Sequence, residues 1–382
     1  MANSHSHKIY RTTSELPSEW ENLAKQNIFL SKAYLEVLEV SAPSNMLCLF
    51  VGIFEHQQLI GIAITQFLDL NQLQSYGERD QCIKTKIRNF IFKKFSSHVL
   101  FIGNNMLTGQ NAFVFSNEIP TEKSLTLLHQ SIIAVKSEIE THSKSIHLTS
   151  IKDFDEKQIK YFNLPEYTSN YIFSTQPNMT FDIPKNWDSE LDYLDALTKK
   201  YRDQYKRARK KLVGIEKRKM KLEEIRSNEE TIYELYNHVA HKAPFNTFFL
   251  AKNHFQVLKE KLKDNFLFYG YFENDRLIGF NTLIKNGKTL DTYFLGYDDT
   301  VQKEKMLYLN MLYDMIGYGI TKKFDKIIFG RTALEIKSSV GAKPQKMYGL
   351  IEHKNRFINS KMSTLFPFLE PEMIWKERNP FK

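Results

Sequence analysis

The feature that most constrains the fold is an order of predicted elements that occurs twice along the chain. In each half a β-hairpin is followed by a third strand, a loop, a long helix and another strand. The first series spans residues 47–149 and the second spans residues 266–329. A strand–helix–strand crossover behind a hairpin produces a mixed sheet covered by helices. The sequence therefore predicts a mixed α/β fold of two tandem domains, residues 1–177 and 178–382, each a mixed sheet flanked by helices.

Length and cysteine content agree with this organisation. At 382 residues the chain exceeds what one hydrophobic core usually supports, and its apolar fraction of 42% is enough for two cores. Two cysteines, Cys48 and Cys82, are too few for a disulfide framework or a cysteine zinc site. The N-terminal residues are polar, and no apolar run reaches the length of about eighteen residues that a membrane span needs. We therefore expect a cytoplasmic protein, and peripheral contact at the inner face of the membrane stays open.

The net charge of +9 is concentrated in one segment. Residues 199–221 contain twelve Lys or Arg and two Asp or Glu, so the rest of the chain is almost neutral. Apolar side chains recur there at the spacing of one helical face, and Arg202, Lys206, Arg209 and Lys210 fall on the other side. The simpler interpretation is a solvated face, and the functional one is recruitment of an anion. The candidate anions are tRNA, an acyl carrier protein, the phosphates of coenzyme A and an anionic lipid surface.

A candidate catalytic site lies where the short predicted strand 326–329 ends. Gly330 allows a sharp turn, and Arg331 then emerges at the carboxyl end of the strand, where it can bind a carboxylate or a phosphate. Glu335, one helical turn later, can accept a proton from an amine nucleophile. The alternative is that Arg331 and Glu335 form an i, i+4 ion pair that only supports a helix.

Further polar positions complete the set of candidates. Tyr293 shares a strand face with Asp291 and can protonate a leaving group, although a core tyrosine with one hydrogen bond is the commoner case. His238 and His241 have a spacing that metal ligands use, but no other ligands are near in the sequence, so no metal site is expected. The small and polar residues of the apolar helix 306–321 form a stripe that can face the cleft or a ligand, or solvent at a domain edge, and we favour solvent: Asn310, Asp314, Gly317 and Thr321.

Three stretches of the second half resemble one family of enzymes. Residues 200–210 read KYRDQYKRARK, residues 276–280 read RLIGF, and residues 328–342 read IFGRTALEIKSSVGA. They are similar to the basic helix, the hairpin and the closing element of FemABX-type peptidoglycan aminoacyltransferases and of related BioF-like, tandem-GNAT proteins. The resemblance covers residues 180–355. It implies two GNAT-like domains, of which the first is degenerate, and direct attack of an amine on an acyl carbonyl without a covalent enzyme intermediate.

One loop departs from the pattern that the resemblance implies. GNAT enzymes hold the pyrophosphate of acetyl-CoA in a glycine-containing loop before a helix, where free backbone N–H groups approach the ligand closely. The corresponding residues 297–305 contain no glycine, although Lys303 and Lys305 can still attract an anion. No tightly bound cofactor is expected. The donor is a co-substrate, and Arg202, Lys206, Lys303 and Lys305 are the residues that we expect to bind it.

The leading functional prediction is N-acyl transfer from a thioester, an acyl-CoA or an acyl carrier protein, to the amine of a small molecule, a lipid or a cell-wall peptide. Arg331, Glu335 and Tyr293 are the predicted catalytic residues. Two alternatives stay open. One is aminoacyl transfer from tRNA to a peptidoglycan peptide, and the other is a non-catalytic adaptor that uses the basic helix on a degenerate GNAT scaffold. The aromatic residues within 245–249 suit a lipid groove, and an aromatic core explains them equally well.

Overall fold

The computed structural model describes residues 5–72, 96–142, 144–242, 246–369 and 375–382. Cys82 lies outside these ranges, as does Phe245, the first of the aromatic residues within 245–249 considered above. The chain divides into two compact units, and the first boundary falls between Gln176 and Pro177. The first unit comprises Met1–Gln176, Pro244–Ala251 and Lys346–Glu372, and the second comprises Pro177–Ala243, Lys252–Gln345 and Met373–Lys382. Two segments of the second half of the chain, Pro244–Ala251 and Lys346–Glu372, thus belong to the first unit. The division into consecutive domains 1–177 and 178–382 therefore stays a prediction.

Strands and helices of the described residues have the following bounds. The strands are β1 His5–Tyr10, β2 Met46–Glu55, β3 Gln58–Asp69, β4 His98–Ile102, β5 Phe113–Phe115, β6 Leu148–Phe154, β7 Tyr171–Asp182, β8 Ile215–Lys219, β9 Phe266–Glu273, β10 Arg276–Asn286, β11 Thr289–Tyr297, β12 Lys326–Gly330 and β13 Lys343–His353. The helices are α1 Trp20–Ala24, α2 Lys32–Ser41, α3 Thr121–His142, α4 Glu190–Ala196, α5 Lys199–Lys211, α6 Leu222–Ser227, α7 Glu229–Ala240, α8 His254–Leu262, α9 Asp299–Lys305, α10 Leu307–Thr321, α11 Leu334–Ser339, α12 Arg356–Asn359 and α13 Met362–Leu369.

The strands of the first unit form a mixed sheet. Their order is β1-β2-β3-β4-β6-β13, with β5 paired to β3. β4 and β6 run parallel, whereas the pairs β2–β3 and β3–β4 are antiparallel. The crossover from β4 to β6 contains α3. Its buried side chains recur three or four residues apart, which is the spacing of one helical face: Leu125, Leu128, Ile132, Val135 and Ile139.

The second unit repeats this arrangement in the order β7-β12-β11-β10-β9-β8. β11 and β12 run parallel, and the crossover between them contains α10, which is buried on most of its surface. The hairpins β2–β3 and β9–β10 close alike, with two-residue turns in which both residues have positive φ: His56 and Gln57 in one, Asn274 and Asp275 in the other. The predicted mixed α/β fold, built twice from one order of elements and flanked by helices, is confirmed.

Each unit has its own hydrophobic core. In the first unit α3 packs on β2, β3, β4 and β6. In the second, α10 packs on the sheet, and Tyr201 and Ala208 of α5 belong to the same core. None of the helices in the described ranges has the length and hydrophobicity that crossing a membrane requires.

Candidate active site

A gap between two parallel strands defines the candidate site in the second unit. In the described residues the register of β11 with β12 ends where Asp291 lies opposite Ile328. β11 continues along β10 until Tyr297 lies opposite Gly279. Past Asp291, the edges of β11 and β12 that faced each other are no longer joined by sheet pairing, and we call this gap the strand opening. Backbone groups at such an edge are available to bind a substrate carbonyl and the negative charge that develops on it.

A buried lysine contacts the end of β12, the strand that forms one side of the strand opening. Lys337 is 4% exposed, and its Nζ donates hydrogen bonds to the carbonyl oxygens of Phe329 at 2.5 Å and Gly330 at 3.4 Å. Burial lowers the pKa of this amine to about 7. The positive φ of Gly330 and Ala333 turns the chain from β12 into α11, and this turn brings Lys337 back to the strand end.

Lys337 lies within the motif of residues 328–342, and no role was predicted for it from the sequence. A usable signal was present, because Leu334, Lys337 and Ser338 are at positions i, i+3 and i+4 and all three are buried on one face of α11. A lysine at a core position of a short helix is uncommon, since burying an ammonium group is unfavourable unless its environment compensates.

The predicted geometry of Arg331 and Glu335 is wrong in one respect. Helix α11 begins at Leu334, and Ala333 before it is left-handed, so Arg331 is outside the helix and the two residues are not one helical turn apart. Glu335 is half exposed and forms an ion pair with Arg378, whose Nε donates to Glu335 Oε1 at 3.0 Å. This arginine lowers the pKa of Glu335, which makes the carboxylate a weak proton acceptor. Arg331 follows the turn at Gly330, at the end of β12, and its catalytic role stays a prediction.

Tyr293 lies on β11 beyond the point where pairing with β12 ends. Its hydroxyl is 3.0 Å from Nε2 of the fully buried His254, the first residue of α8. A bulge in the β10–β11 pairing lies between Asn281 and Leu283, opposite this part of β11. The hydrogen bond fixes the phenol in place, and the predicted role in protonating a leaving group stays a prediction.

The loop that would hold a pyrophosphate in GNAT enzymes contains a carboxylate instead. The Asp298 side chain caps α9 by accepting from the Thr300 backbone N–H at 2.9 Å, and it is 2.6 Å from Nη2 of Arg276. Burial raises the pKa of Asp298, but the hydrogen bonds from Thr300 and the charge of Arg276 outweigh it and lower the pKa overall. A charged carboxylate therefore lies where the N–H groups of a helix would attract phosphate.

The two lysines of this loop differ in their surroundings. Lys305 is 2.7 Å from Glu273 Oε1, and this pairing raises its pKa. Lys303 is exposed. Of the two predicted donor-binding lysines, Lys305 is thus engaged in an ion pair, and Lys303 faces solvent. Binding of a donor by either residue stays a prediction.

The basic helix α5 docks through its apolar stripe, as predicted, but one of its arginines points inward. Arg209 is 2.8 Å from Asp314 and 2.9 Å from Glu190, and it stacks over the ring of Tyr205. Asp314 also accepts a hydrogen bond from the buried Tyr271 at 2.6 Å. Arg209 is therefore part of an internal ion-pair network, whereas Lys206 and Lys210 are exposed and Arg202 is half-buried.

Three of the four residues of the polar stripe on α10 face other helices, so the prediction that the stripe faces solvent is wrong for Asn310, Asp314 and Gly317, whereas Thr321 is exposed. Asn310 is fully buried and donates to the Ala208 carbonyl oxygen at 2.9 Å. Asp314 accepts a hydrogen bond from Arg209, and Gly317 lies against the carboxyl group of Glu190. The stripe is polar because it faces α5 and α4, whose charged side chains need partners in a place that water reaches poorly.

We expect the Arg209→Met substitution to lower the free energy of unfolding by about 3 kcal/mol, because it leaves the largely buried carboxylate of Asp314 without its main partner. Chemical denaturation measures this change. Lys211→Met, an exposed change on the same helix, is the matched control and should stay within about 0.5 kcal/mol of wild type. Equal stability of the two variants would contradict a structural role for the network.

The paired histidines bond to backbone oxygens. His238 Nδ1 is 3.3 Å from the Tyr297 carbonyl oxygen, and His241 Nδ1 is 2.9 Å from the Asn237 carbonyl oxygen. Within the ranges that the structure covers, no three His, Cys, Asp or Glu side chains are grouped as metal ligands would be.

Comparisons with known proteins agree with the fold. The FemAB-like family, described as peptidoglycan biosynthesis/recognition, matches residues 13–364. The crystal structure of FemX is similar over 93% of this chain and 99% of its own, with 12% identity and a TM-score of 0.55. A conserved protein of unknown function from Bacteroides thetaiotaomicron VPI-5482 is similar over 91% and 100%, with 10% identity and a TM-score of 0.53. A tandem GNAT protein from the clavulanic acid biosynthesis pathway is similar over 92% and 99%, with 7% identity and a TM-score of 0.51.

No curated protein matches the chain in sequence. The structural similarities establish the GNAT-like fold. Because the sequence identities are low, these similarities establish nothing beyond the fold. The family match extends over most of the chain and over both units. The family match and the fold together indicate a transferase of the GNAT/FemABX type. The chain belongs to the FemAB-like family of peptidoglycan biosynthesis/recognition proteins.

Proposed function

We propose that the protein transfers an aminoacyl group from tRNA to an amine of a peptidoglycan precursor, and that the strand opening of the second unit is the reaction site. The observation that carries the choice of donor is the carboxylate of Asp298 at the N-terminus of α9. Asp299 adds a second negative charge in the first turn of that helix. Both carboxylates are ion-paired, Asp298 with Arg276 and Asp299 with Lys242, and Asp298 also takes up the N–H of Thr300. The groups that would attract the pyrophosphate of coenzyme A here are therefore already engaged, whereas an aminoacyl-tRNA does not need a pyrophosphate site.

The chemistry of this proposal is an aminolysis of an ester. The acceptor nitrogen forms a bond to the carbonyl carbon, the ester C–O bond breaks, and the ribose hydroxyl leaves with the proton that the amine loses. Negative charge develops on the carbonyl oxygen in the transition state. Lys337, held by the Phe329 and Gly330 carbonyl groups, supplies a positive charge next to the strand opening that can stabilise this oxygen.

The outer face of α5 supports an RNA donor. Lys206 and Lys210 project into solvent, and Arg202 lies half-buried beside them. Because Arg209 is held inside the unit, the charge available to a polyanion is smaller than the sequence count indicates. A row of cations on one helix face suits contact with successive phosphates of an RNA backbone.

Transfer assays with labelled donors test the proposal. Purified protein is given a lysine-containing peptidoglycan precursor together with a mixed pool of ¹⁴C-aminoacyl-tRNA, ¹⁴C-acetyl-CoA or ¹⁴C-palmitoyl acyl carrier protein. We expect label in the precursor only from the aminoacyl-tRNA pool, and the Lys337→Met variant is the negative control. Label from a thioester alone would overturn the choice of donor.

The second candidate function is N-acyl transfer from a thioester. The exposed Lys303 of α9 favours it, since its amine can approach a phosphate from solvent. The Asp298→Asn variant separates the two functions. If coenzyme A binds there, removing the negative charge should improve thioester use. If tRNA is the donor, the variant should transfer like wild type. RNA binding without transfer from any donor would instead support the adaptor alternative.

A further inference from the structure

One buried carboxyl group at the strand opening has no part in the chemistry assigned to Lys337. Asp291 is 6% exposed, and within the described residues its Oδ2 has no hydrogen-bond partner. It is the residue at which the pairing of β11 with β12 ends. Burial raises its pKa to about 7. A buried carboxyl oxygen without a donor is unfavourable, so a group that occupies this place during function is expected to supply one.

Asp291 lies on the face of the sheet opposite α10. Ile327 packs in the core with α10, so strand alternation places Ile328 and its register neighbour Asp291 on the other face. Thr180 of β7 is also in register with Ile328, and Asn178, two residues earlier, therefore shares this face. Asn178 is 2% exposed, and in the part of the chain that the structure describes its Oδ1 has no donor. Both of these atoms are hydrogen-bond acceptors.

We propose that Asp291 binds a primary ammonium group of a substrate. Asn178 Oδ1 lies on the same face beyond the intervening β12 and is a further acceptor for that substrate. An ammonium group carries N–H donors and a positive charge, so it satisfies a buried carboxylate oxygen. A ligand that offers only acceptors, such as an anion or a carbonyl group, would leave both of these oxygens without a donor. The ligand class follows from the polarity of the two oxygens.

Aminoacyl transfer involves two amines of this kind. One is the α-ammonium group of the aminoacyl donor, and the other is the amine of the acceptor. That the bound ammonium group comes from the donor or the acceptor of aminoacyl transfer rests on the proposed function. The existence of an ammonium site rests only on the buried oxygens of Asp291 and Asn178. A binding experiment that needs no turnover therefore keeps the two proposals separate.

The test measures calorimetric binding of two matched pairs of probes. The donor pair is 3′-(L-alanylamino)-3′-deoxyadenosine and its analogue with a hydroxyl in place of the α-amine. The acceptor pair is a lysine-containing stem peptide and its Nε-acetyl derivative. We expect the wild-type protein to prefer the amine member of one pair by about 10- to 100-fold, as a charge-assisted hydrogen bond provides. The pair that shows the preference identifies the source of the ammonium group.

The Asp291→Asn variant should lose that preference and still bind the amine-free member of the pair, because its side chain has the same shape without the charge. Asp291→Ser serves if the first variant melts below wild type. Asp182→Asn, the same chemical change at a 76% exposed strand position, is the control and should keep the wild-type preference. An unchanged preference in both Asp291 variants, or no preference in the wild type, would overturn the site. Preserved ammonium selectivity in a protein that transfers no aminoacyl group would refute only the proposed function.

Discussion

Replacing Lys337 by Met is expected to reduce turnover about 100- to 1000-fold, the range found when one donor to a developing oxyanion is removed. Methionine fills a similar volume and needs no hydrogen-bond partner, so the protein should stay folded in the place where Lys337 is now 4% exposed. Single-turnover assays with aminoacyl-tRNA, together with thermal melts, measure the two effects. Full activity in a folded Lys337→Met protein would show that Lys337 does not supply the charge that stabilises the oxyanion.

The pH dependence of turnover is a second measurement of the role of Lys337. Burial lowers the pKa of Lys337 to about 7, so the protonated form that stabilises an oxyanion is lost as the pH rises above about 7. Wild-type turnover should fall over that range. Lys337→Arg keeps its charge at higher pH, so its turnover, although reduced by poorer fit, should stay constant up to about pH 9. A wild-type rate that rises through pH 7 would instead identify Lys337 as a proton acceptor.

The stability of the protein should respond to the same group. Because the folded-state pKa of Lys337 is below that of an unfolded lysine, the unfolded chain binds one more proton between about pH 7 and about pH 10. This group's contribution to the free energy of unfolding is therefore largest above about pH 10 and is lost as the pH falls towards 7. Urea titrations of Lys337→Met should lack this part of the pH dependence.

Reversing three charges on α5 is expected to weaken tRNA binding about 100-fold at moderate salt. The Arg202→Glu, Lys206→Glu, Lys210→Glu variant removes three cations from the outer face of the helix and adds three repulsive charges there. Each lost phosphate contact reduces the slope of log K against log salt concentration by about 0.7 to 0.9. Filter binding at several salt concentrations measures both the affinity and the slope.

A variant with the same net charge tests whether position matters. Lys25, Lys157 and Lys160 are exposed residues of the first unit, and changing all three to Glu alters the net charge equally. This control should bind tRNA nearly as wild type does, and neither variant should lose thermal stability, because exposed charges contribute little to it. If both variants lose affinity equally, overall charge and not the α5 surface attracts the RNA.

Patterns that depend on neighbouring residues were sufficient to predict much of this protein. The repeated order of hairpin, strand, helix and strand gave the mixed α/β fold, because periods of two and 3.6 residues report directly which side of an element is buried. The docking stripe of α5 was predicted for the same reason. The turn at Gly330 was predicted from the conformational freedom of glycine, and Gly330 has a positive φ. The motifs of the second half indicated the family that the match over residues 13–364 establishes.

What the sequence could not supply was the partner of each charged residue, since such partners are distant in the chain. Arg209 was counted as a surface cation, yet it is bonded to Asp314, more than a hundred residues away. Glu335 was paired by spacing with Arg331, but Arg378 approaches it from the C-terminal segment. Charge alone does not determine whether a side chain is solvated, because that depends on which segment packs over it.

The candidate site itself was decided by tertiary structure. Residue spacing was enough to place Asp291 on a strand and Lys337 on a short helix. It did not predict that the β11–β12 pairing ends at Asp291, or that Lys337 contacts the end of β12. The lowered pKa of Lys337 and the raised pKa of Asp291 both come from burial, and burial is a property of packing from all directions. Sequence by itself determined the elements and the family, and tertiary packing decided which of their ionisable groups were removed from water.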